Sequence, residues 1–329
     1  KREMSTLDLL ALPPDRPYIT RRLRRLPRGA TGLLCPHGVR MRCQRRSSCV
    51  RVVVLSLLCA CAGALQVHYD FQHDDAYISY RYASNWAHGY GPVYNLGERV
   101  EGYYNFLWVA LMAAAGRLGC DLIAVSRTLG TLSSFALILF AYRIMRRALG
   151  RSQALALPAA AALALHAGVA VWARSGLETL PMAMVVLLAQ SRFLHEHARG
   201  ARPAASAALF GIASLLRADG LIFALPTFLF LVATRRLRRD APTFAGVVLL
   251  LFLPWFCWRL IYYGYLLPNS FYLKTGGDLF QQLRGLHYTY NYVLPFGGAL
   301  FFALPLFLAW CRDPQRDRAR LYFGMHVAV

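Results

Sequence analysis

The feature that most constrains this chain is a series of apolar runs separated by short basic clusters. The runs lie near residues 52–67, 104–119, 128–147, 153–173, 178–193, 204–217, 219–234, 242–262 and 293–311, and another begins at 321. Most are about 15–20 residues long, which suits helices that cross a bilayer. Hydrophobic residues make up 57% of the sequence and the mean hydropathy is +0.37. We therefore predict an all-α, polytopic membrane protein.

The basic residues serve as topology signals. The chain has 37 Lys and Arg against 16 Asp and Glu, for a formal charge of +21. Most basic residues fall in clusters between apolar runs, as the positive-inside rule describes for cytoplasmic loops. We therefore expect contact with the lipid bilayer and no nucleic-acid partner.

Two regions differ in composition. Residues 1–51 are strongly basic and show no regular periodicity of apolar residues, which predicts a disordered cytoplasmic arm. Residues 52–329 contain the apolar runs and form the predicted membrane domain. The sequence begins with Lys1 and ends inside an apolar run, so we expect a fragment truncated at the C-terminus.

The basic clusters predict which runs cross the membrane, because all of them should lie on the cytoplasmic side; we call this argument charge parity. The clusters at 143–151, 192–202, 235–240 and 311–320 all become cytoplasmic only if run 104–119 does not cross. This arrangement gives eight complete spans and the start of a ninth. It also predicts external loops at 67–127 and 263–292, the first of them carrying juxtamembrane helices.

The first external loop concentrates polar and aromatic residues in "DDAYISYRYASNWAHGYGPVYNLGERVEGYYNFLW", residues 74–108. Asp74 and Asp75 suit the start of a helix, where carboxylates cap free N–H groups. Glu98, Arg99 and Glu101 are explained equally well as an exposed ion-pair cluster. The alternative is function, because a carboxylate at this position can act as a base towards a hydroxyl or bind a cation.

This loop strongly resembles the first external loop of GT-C fold glycosyltransferases that use polyprenyl-phosphate sugars. The greatest similarity is to cell-wall terminal arabinofuranosyltransferases. Shorter stretches with family-like patterns follow in the family's order, namely "ARSGLETLPMAM" at 173–184, "LLRADG" at 215–220 and "LPNSFYLKTGG" at 267–277. Ala218 stands where the family usually has Pro. The resemblance covers roughly residues 52–329.

The resemblance implies transfer of an arabinofuranose-like sugar from a polyprenyl-phosphate donor to a cell-envelope glycan acceptor. The enzyme would lie in the plasma (inner) membrane with its active site on the external side, and direct attack would invert the anomeric centre. Asp74 or Asp75 would be the catalytic base, and the other would orient it or bind a divalent metal ion. The remaining substrate-binding candidates are Arg81, Glu98, Arg99, Glu101, Arg174, Glu178, Arg217, Asp219, Asn269 and Lys274.

Two other classes stay open from the residues alone. A transporter needs polar groups within its spans, preferably in repeated positions, whereas these spans are almost purely apolar. A non-catalytic envelope-assembly protein would keep the fold without the chemistry. The sugar, the acceptor and any metal requirement are not specified by the sequence.

Overall fold

The computed structural model describes residues 37–148, 156–234, 239–274 and 279–291, and all regular secondary structure in these ranges is helical. The helices are α1 His37–Tyr69, α2 Asp75–Ala87, α3 Phe106–Arg117, α4 Leu122–Ala148, α5 Ala156–Ala164, α6 Ala167–Arg174, α7 Thr179–Ala198, α8 Ala204–Leu216, α9 Gly220–Ala233, α10 Ala241–Tyr263 and α11 Asn269–Lys274. Residues 279–291 are also helical. The predicted all-α class is confirmed.

Helix α1 begins earlier than the sequence suggested. It starts at His37, so residues 37–51 are helical although they belong to the arm predicted to be disordered. The rest of that arm, residues 1–36, lies outside the described part of the chain. The chain divides after Arg51 into two units, and every contact discussed below lies within residues 52–329.

Fewer helices suit a full crossing than the eight spans predicted. In the described ranges these are Cys49–Tyr69, Leu122–Arg146 and Ala241–Tyr263, with α5 and α6 as a possible fourth span bent by 53°. Helices α8 and α9 have 13 and 14 residues. They are therefore only about 20 Å long at 1.5 Å per residue, against a hydrocarbon core of about 30 Å. The predicted span at 293–311 lies outside the described residues.

Neighbouring long helices run in opposite directions. Near the end of α1, Gln66 donates to Ser134 of α4 over 2.8 Å, and one turn earlier Ala62 packs in a cluster with Ile138 of α4, so the two helices are antiparallel. Helices α7 to α10 share a buried core that includes Phe193, Phe210, Phe230 and Phe244. As a result, the end of α1 and the starts of α4, α7 and α9 meet at one end of the bundle, which carries the polar loops.

Helices α2 and α3 pack at this same end. The indole N–H of Trp108 in α3 donates to the carbonyl of Gly176, just before α7, over 3.1 Å. Near the start of α4, Arg127 donates to Gln72, just after α1, over 2.9 Å. Helix α3 has 12 residues, so it is about 18 Å long. Trp108, near the start of α3, thus lies at the end of the bundle where α4 also begins. That α3 does not cross stays a prediction.

A buried ion pair ties the first loop to α10. Arg259 donates from Nε to Glu101 over 3.0 Å, and its Nη2 forms a second, close contact with the same carboxylate. Arg259 also donates to the carbonyl of Leu266, and the amide of Asn269 donates to the carbonyl of Glu101. Glu101 is 4% exposed and Arg259 is 2% exposed, so each buried charge is neutralised by the other. This pair joins the chain at residue 101 to the loop before α11.

The position of α3 predicts a labelling pattern. The cysteine Cys120 is exposed in the short turn after α3, and Leu96 is exposed in the first loop. With Cys120 kept as the only cysteine, it should react with a membrane-impermeant maleimide from the same side as a cysteine-free chain carrying Leu96→Cys. The variant Ala201→Cys, between α7 and α8, should react only from the opposite side. Labelling of Cys120 from the side of residue 201 would mean that α3 crosses.

Candidate active site

A cavity of about 490 Å³ opens at the end of the bundle where the polar loops meet. It is lined by residues from several separate segments, namely Asp75, Ile78, Ser79, Gly102, Tyr103, Tyr104, Asn105, Leu177, Glu178, Arg217 and Ser270. Three of the predicted site residues, Asp75, Glu178 and Arg217, therefore come together here although they are far apart in the sequence. We call this space the reaction cavity.

Glu178 is the most deeply buried acid of the reaction cavity. Its side chain precedes α7 and the residue is 4% exposed. Asn105 donates to its Oε2 over 2.6 Å, and Arg217 lies 3.5 Å from its Oε1. Burial raises the pKa of Glu178, while the hydrogen bond from Asn105 and the charge of Arg217 act in the opposite direction. Both carboxylate oxygens are thus engaged with the protein.

Asn105 was missed by the sequence reasoning. It is buried, it exchanges hydrogen bonds with Ser79 of α2, and it bonds Glu178 before α7. It therefore fixes three segments relative to one another. A signal was present, because Asn105 is the polar residue between the aromatic pair Tyr103–Tyr104 and the apolar run of α3.

The "RADG" turn orients Arg217. Arg217 follows α8 in extended conformation, and its guanidinium donates to both oxygens of Asp219 over 3.1 and 3.0 Å. The amide of Gly220 donates back to the carbonyl of Arg217 over 2.8 Å. A Cβ at position 220 would collide with the backbone of Ala213, so the turn needs glycine there. Asp219 thus restrains the guanidinium of Arg217. Direct contact of Asp219 with substrate stays a prediction.

Arg217 and Asp219 also line a second space, an apolar groove of about 560 Å³ between α4, α7 and α9. Its other lining residues are Leu137, Ala141, Leu163, Thr179, Met182, Ala183, Val186, Leu187, Gln190 and Phe223. The groove follows α7 away from the polar loops for more than two turns. Arg217 is therefore shared by a polar cavity on one side and an apolar groove on the other.

The two adjacent acids differ in their surroundings. Asp74 is the N-cap of α2, its Oδ1 accepts from the amide of Asp75 over 3.0 Å, and its side chain is 96% exposed. Asp75 lines the reaction cavity, with its carboxylate 3.9 Å from Nδ1 of His73. From the described residues, the Asp75 carboxylate accepts no hydrogen bond, so it is available to a ligand.

These acids form the metal-compatible group in the described part of the chain. One ligand atom from each of His73, Asp74 and Asp75 lies within 4.8 Å of the other two. Nitrogen and carboxylate oxygen suit several divalent ions. The group is largely exposed, and the possible metal ion stays a prediction.

Three other predicted substrate contacts have partners within the protein, and their contact with substrate stays a prediction. Arg81 donates through Nε to the carbonyl of Tyr94 over 3.2 Å. Glu98 accepts from Asn95 within a turn, over 3.1 Å. The guanidinium of Arg99 lies over the ring of Tyr262 at 4.7 Å. None of the three lines the reaction cavity.

Arg174, Glu101 and Asn269 also lie outside the reaction cavity. Arg174 pairs with Asp70 over 2.8 Å, and Arg127 lies 3.4 Å from the same carboxylate. Glu101 is buried against Arg259, and burial raises its pKa while the bonds from Arg259 lower it. Asn269 lines a separate cavity beside Glu101. The side chain of Lys274 lies outside the described part of the chain.

Two comparisons with known proteins bear on this geometry. The family described as Dolichyl-phosphate-mannose-protein mannosyltransferase matches residues 106–258, from α3 to most of α10. The Terminal beta-(1->2)-arabinofuranosyltransferase of Mycobacterium tuberculosis is 31% identical over 244 residues, which cover 68% of this chain and 38% of that protein. The chain therefore spans well under half the length of this curated relative.

No solved structure matches the chain. The mannosyltransferase family match begins at Phe106, so it excludes the loop that carries Asp74 and Asp75. The match nevertheless includes both Glu178 and Arg217. The two sequence matches and the loop motifs together support the resemblance of this chain to GT-C glycosyltransferases, and to arabinofuranosyltransferases in particular.

Proposed function

We propose that this chain is part of a membrane glycosyltransferase that moves an arabinofuranose-like sugar from a polyprenyl-phosphate donor to a cell-envelope glycan. The observation that carries the proposal is the position of Arg217, which lines both the polar reaction cavity and the apolar groove. A lipid-linked sugar phosphate has the matching order of parts, because a charged phosphate joins its apolar chain to its polar sugar.

The donor fits this division in one orientation. The polyprenyl chain lies in the groove along α7, among side chains such as Met182, Val186 and Phe223. Its phosphate meets Arg217, whose charge-assisted hydrogen bonds suit phosphate oxygens. The sugar then enters the reaction cavity beside Asp75. The name of the mycobacterial relative supports an arabinofuranosyl group as the sugar.

The chemistry needs one base and one anion-binding group. The acceptor hydroxyl attacks the anomeric carbon, the bond from that carbon to the phosphate oxygen breaks, and polyprenyl phosphate leaves. The hydroxyl proton passes to the Asp75 carboxylate. Arg217 balances the charge that develops on the departing phosphate. A single direct attack inverts the anomeric configuration.

Glu178 has a positioning role in this mechanism. Its carboxylate is engaged by Asn105 and Arg217, so it fixes the guanidinium at the junction between groove and cavity. Asp219 restrains the same guanidinium from the other side. An arginine held by two carboxylates loses less conformational freedom when it binds phosphate than a free one would.

Charge parity supports an external location for the reaction. Helix α7 begins at the polar end of the bundle, so the basic cluster at 192–202 lies at its opposite end, and the positive-inside rule assigns that cluster to the cytoplasm. A divalent ion at His73, Asp74 and Asp75 would add positive charge beside the reaction cavity. The enzyme proposal as a whole is tested by release of polyprenyl phosphate when the reconstituted protein is given donor and acceptor.

Substitution of the two adjacent acids separates their roles. Asp75→Asn removes the proton acceptor, so we expect transfer to slow by roughly 10²–10⁴-fold with donor binding retained. Asp74→Asn should remain close to wild type, because Asn caps a helix about as well as Asp. The measurement is the initial rate of sugar transfer by each purified variant in lipid nanodiscs. Near-normal transfer by Asp75→Asn would contradict its role as the base.

Arg217 should contribute directly to donor affinity. Charge-assisted hydrogen bonds are worth roughly 1.5–3 kcal/mol, so Arg217→Gln should weaken binding of the polyprenyl-phosphate donor about 10- to 100-fold. The donor affinity of Arg217→Lys should fall between those of wild type and Arg217→Gln, because lysine keeps the charge but lacks the planar guanidinium. Arg174→Gln is the matched control, since that arginine lies at the same end of the bundle outside the cavity. Equal donor affinity in the Arg217 and Arg174 variants would move the phosphate elsewhere.

A further inference from the structure

A second cavity, of about 260 Å³, adjoins the reaction cavity on the loop side. Its lining includes Ile78, Tyr82, Tyr94, Asn95, Glu98 and Gly102. Ile78 and Gly102 line the reaction cavity as well, so the two spaces share a wall. We call this second space the side cavity. It lies away from the apolar groove, with which it shares no lining residue.

The loop that forms the side cavity is held in place by α2. Asn85 donates from its amide nitrogen to the carbonyls of Val93 and Tyr94 over 2.8 and 2.9 Å. Arg81 adds a third bond to this segment, a second one to the carbonyl of Tyr94. These bonds fix the backbone at residues 93–94, so the side chain of Tyr94 projects from an anchored position. The side cavity is therefore largely formed before any ligand binds.

The far wall is equally fixed. The amide of Glu98 donates to the carbonyl of Asn95 over 3.3 Å, closing a turn, and Gly97 within it has a φ of +87°. The hydroxyl of Tyr82 donates to the carbonyl of Val100 over 2.6 Å and accepts from the amide of Gly102 over 2.9 Å. Both ends of the chain segment 95–102 are thereby tied down.

The chemistry of this wall matches a carbohydrate. A sugar ring has apolar C–H faces and a rim of hydroxyl groups. Tyr94 offers a ring that is 44% exposed, packed against Tyr82 with 5.8 Å between centroids. Rigid tyrosines supply amphipathic contact area at low entropic cost. The side-chain amide of Asn95 and the carboxylate of Glu98 can donate to and accept from hydroxyl groups.

We propose that the side cavity is an acceptor subsite, which binds a sugar residue of the acceptor glycan next to the residue that receives the new sugar. This inference rests on the proposed function, because it assumes that the acceptor hydroxyl reaches Asp75 in the reaction cavity. The shared wall at Ile78 and Gly102 lets one glycan chain occupy both spaces. The enzyme would then prefer acceptors longer than one residue.

The test compares acceptors of different length on the reconstituted chain. The probes are an arabinofuranosyl monosaccharide glycoside and a series of longer arabinofuranosyl oligosaccharides, with the polyprenyl-phosphate donor at saturation. Wild type should show a lower KM for the longer acceptors. Tyr94→Ala should raise the KM for these about five- to tenfold and so reduce the preference for length. Tyr94→Phe, which keeps the ring face, should retain most of the preference.

Tyr90→Ala is the matched control. Tyr90 is an exposed tyrosine of the same loop, 60% accessible, and it does not line the side cavity. The acceptor subsite is overturned if Tyr94→Ala behaves like Tyr90→Ala on every acceptor, or if it raises all KM values equally. If instead wild type releases no polyprenyl phosphate with any acceptor, the proposed function fails, and the subsite fails with it.

Discussion

The architecture of the site depends on one buried carboxylate. Glu178 lies at the start of α7, where Asn105 approaches from the first loop and Arg217 from the end of α8. A buried carboxylate is costly unless it is paired and hydrogen-bonded. The hydrogen bond from Asn105 and the ion pair with Arg217 that compensate Glu178 therefore hold together three segments that are far apart in the sequence. The reaction cavity forms around that point, and the guanidinium of Arg217 is fixed at its edge.

From this constraint follows a division of space that suits a lipid-linked substrate. On one side of Arg217 the groove between α4, α7 and α9 is lined mainly by apolar side chains. On the other side the reaction cavity contains Asp75 and the hydroxyls of Ser79 and Tyr104. The ion pair between Glu101 and Arg259 holds the chain leading to Tyr104 against α10. A contact between distant parts of the sequence thus holds the chain beside the reaction cavity in place.

The sequence was informative where patterns are local. Long apolar runs predicted the helical class, and charge parity gave the prediction that α3 does not cross. Partnerships between distant residues were beyond such patterns. Glu101 and Arg259 are 158 positions apart, so no local signal linked them. The sequence also could not distinguish the roles of Asp74 and Asp75. Only the folded structure shows that Asp74 caps α2 whereas Asp75 lines the reaction cavity.

The central claim is that Arg217 joins a lipid groove to a reaction cavity. Photocrosslinking tests it most directly, using a polyprenyl-phosphate sugar with a photoreactive group on the isoprene unit nearest the phosphate. The account predicts adducts on groove residues such as Met182, Val186 and Phe223, and their loss when unlabelled donor competes. Competable adducts on the exposed face of α10, for example at Leu250 or Ile261, with none in the groove, would contradict it.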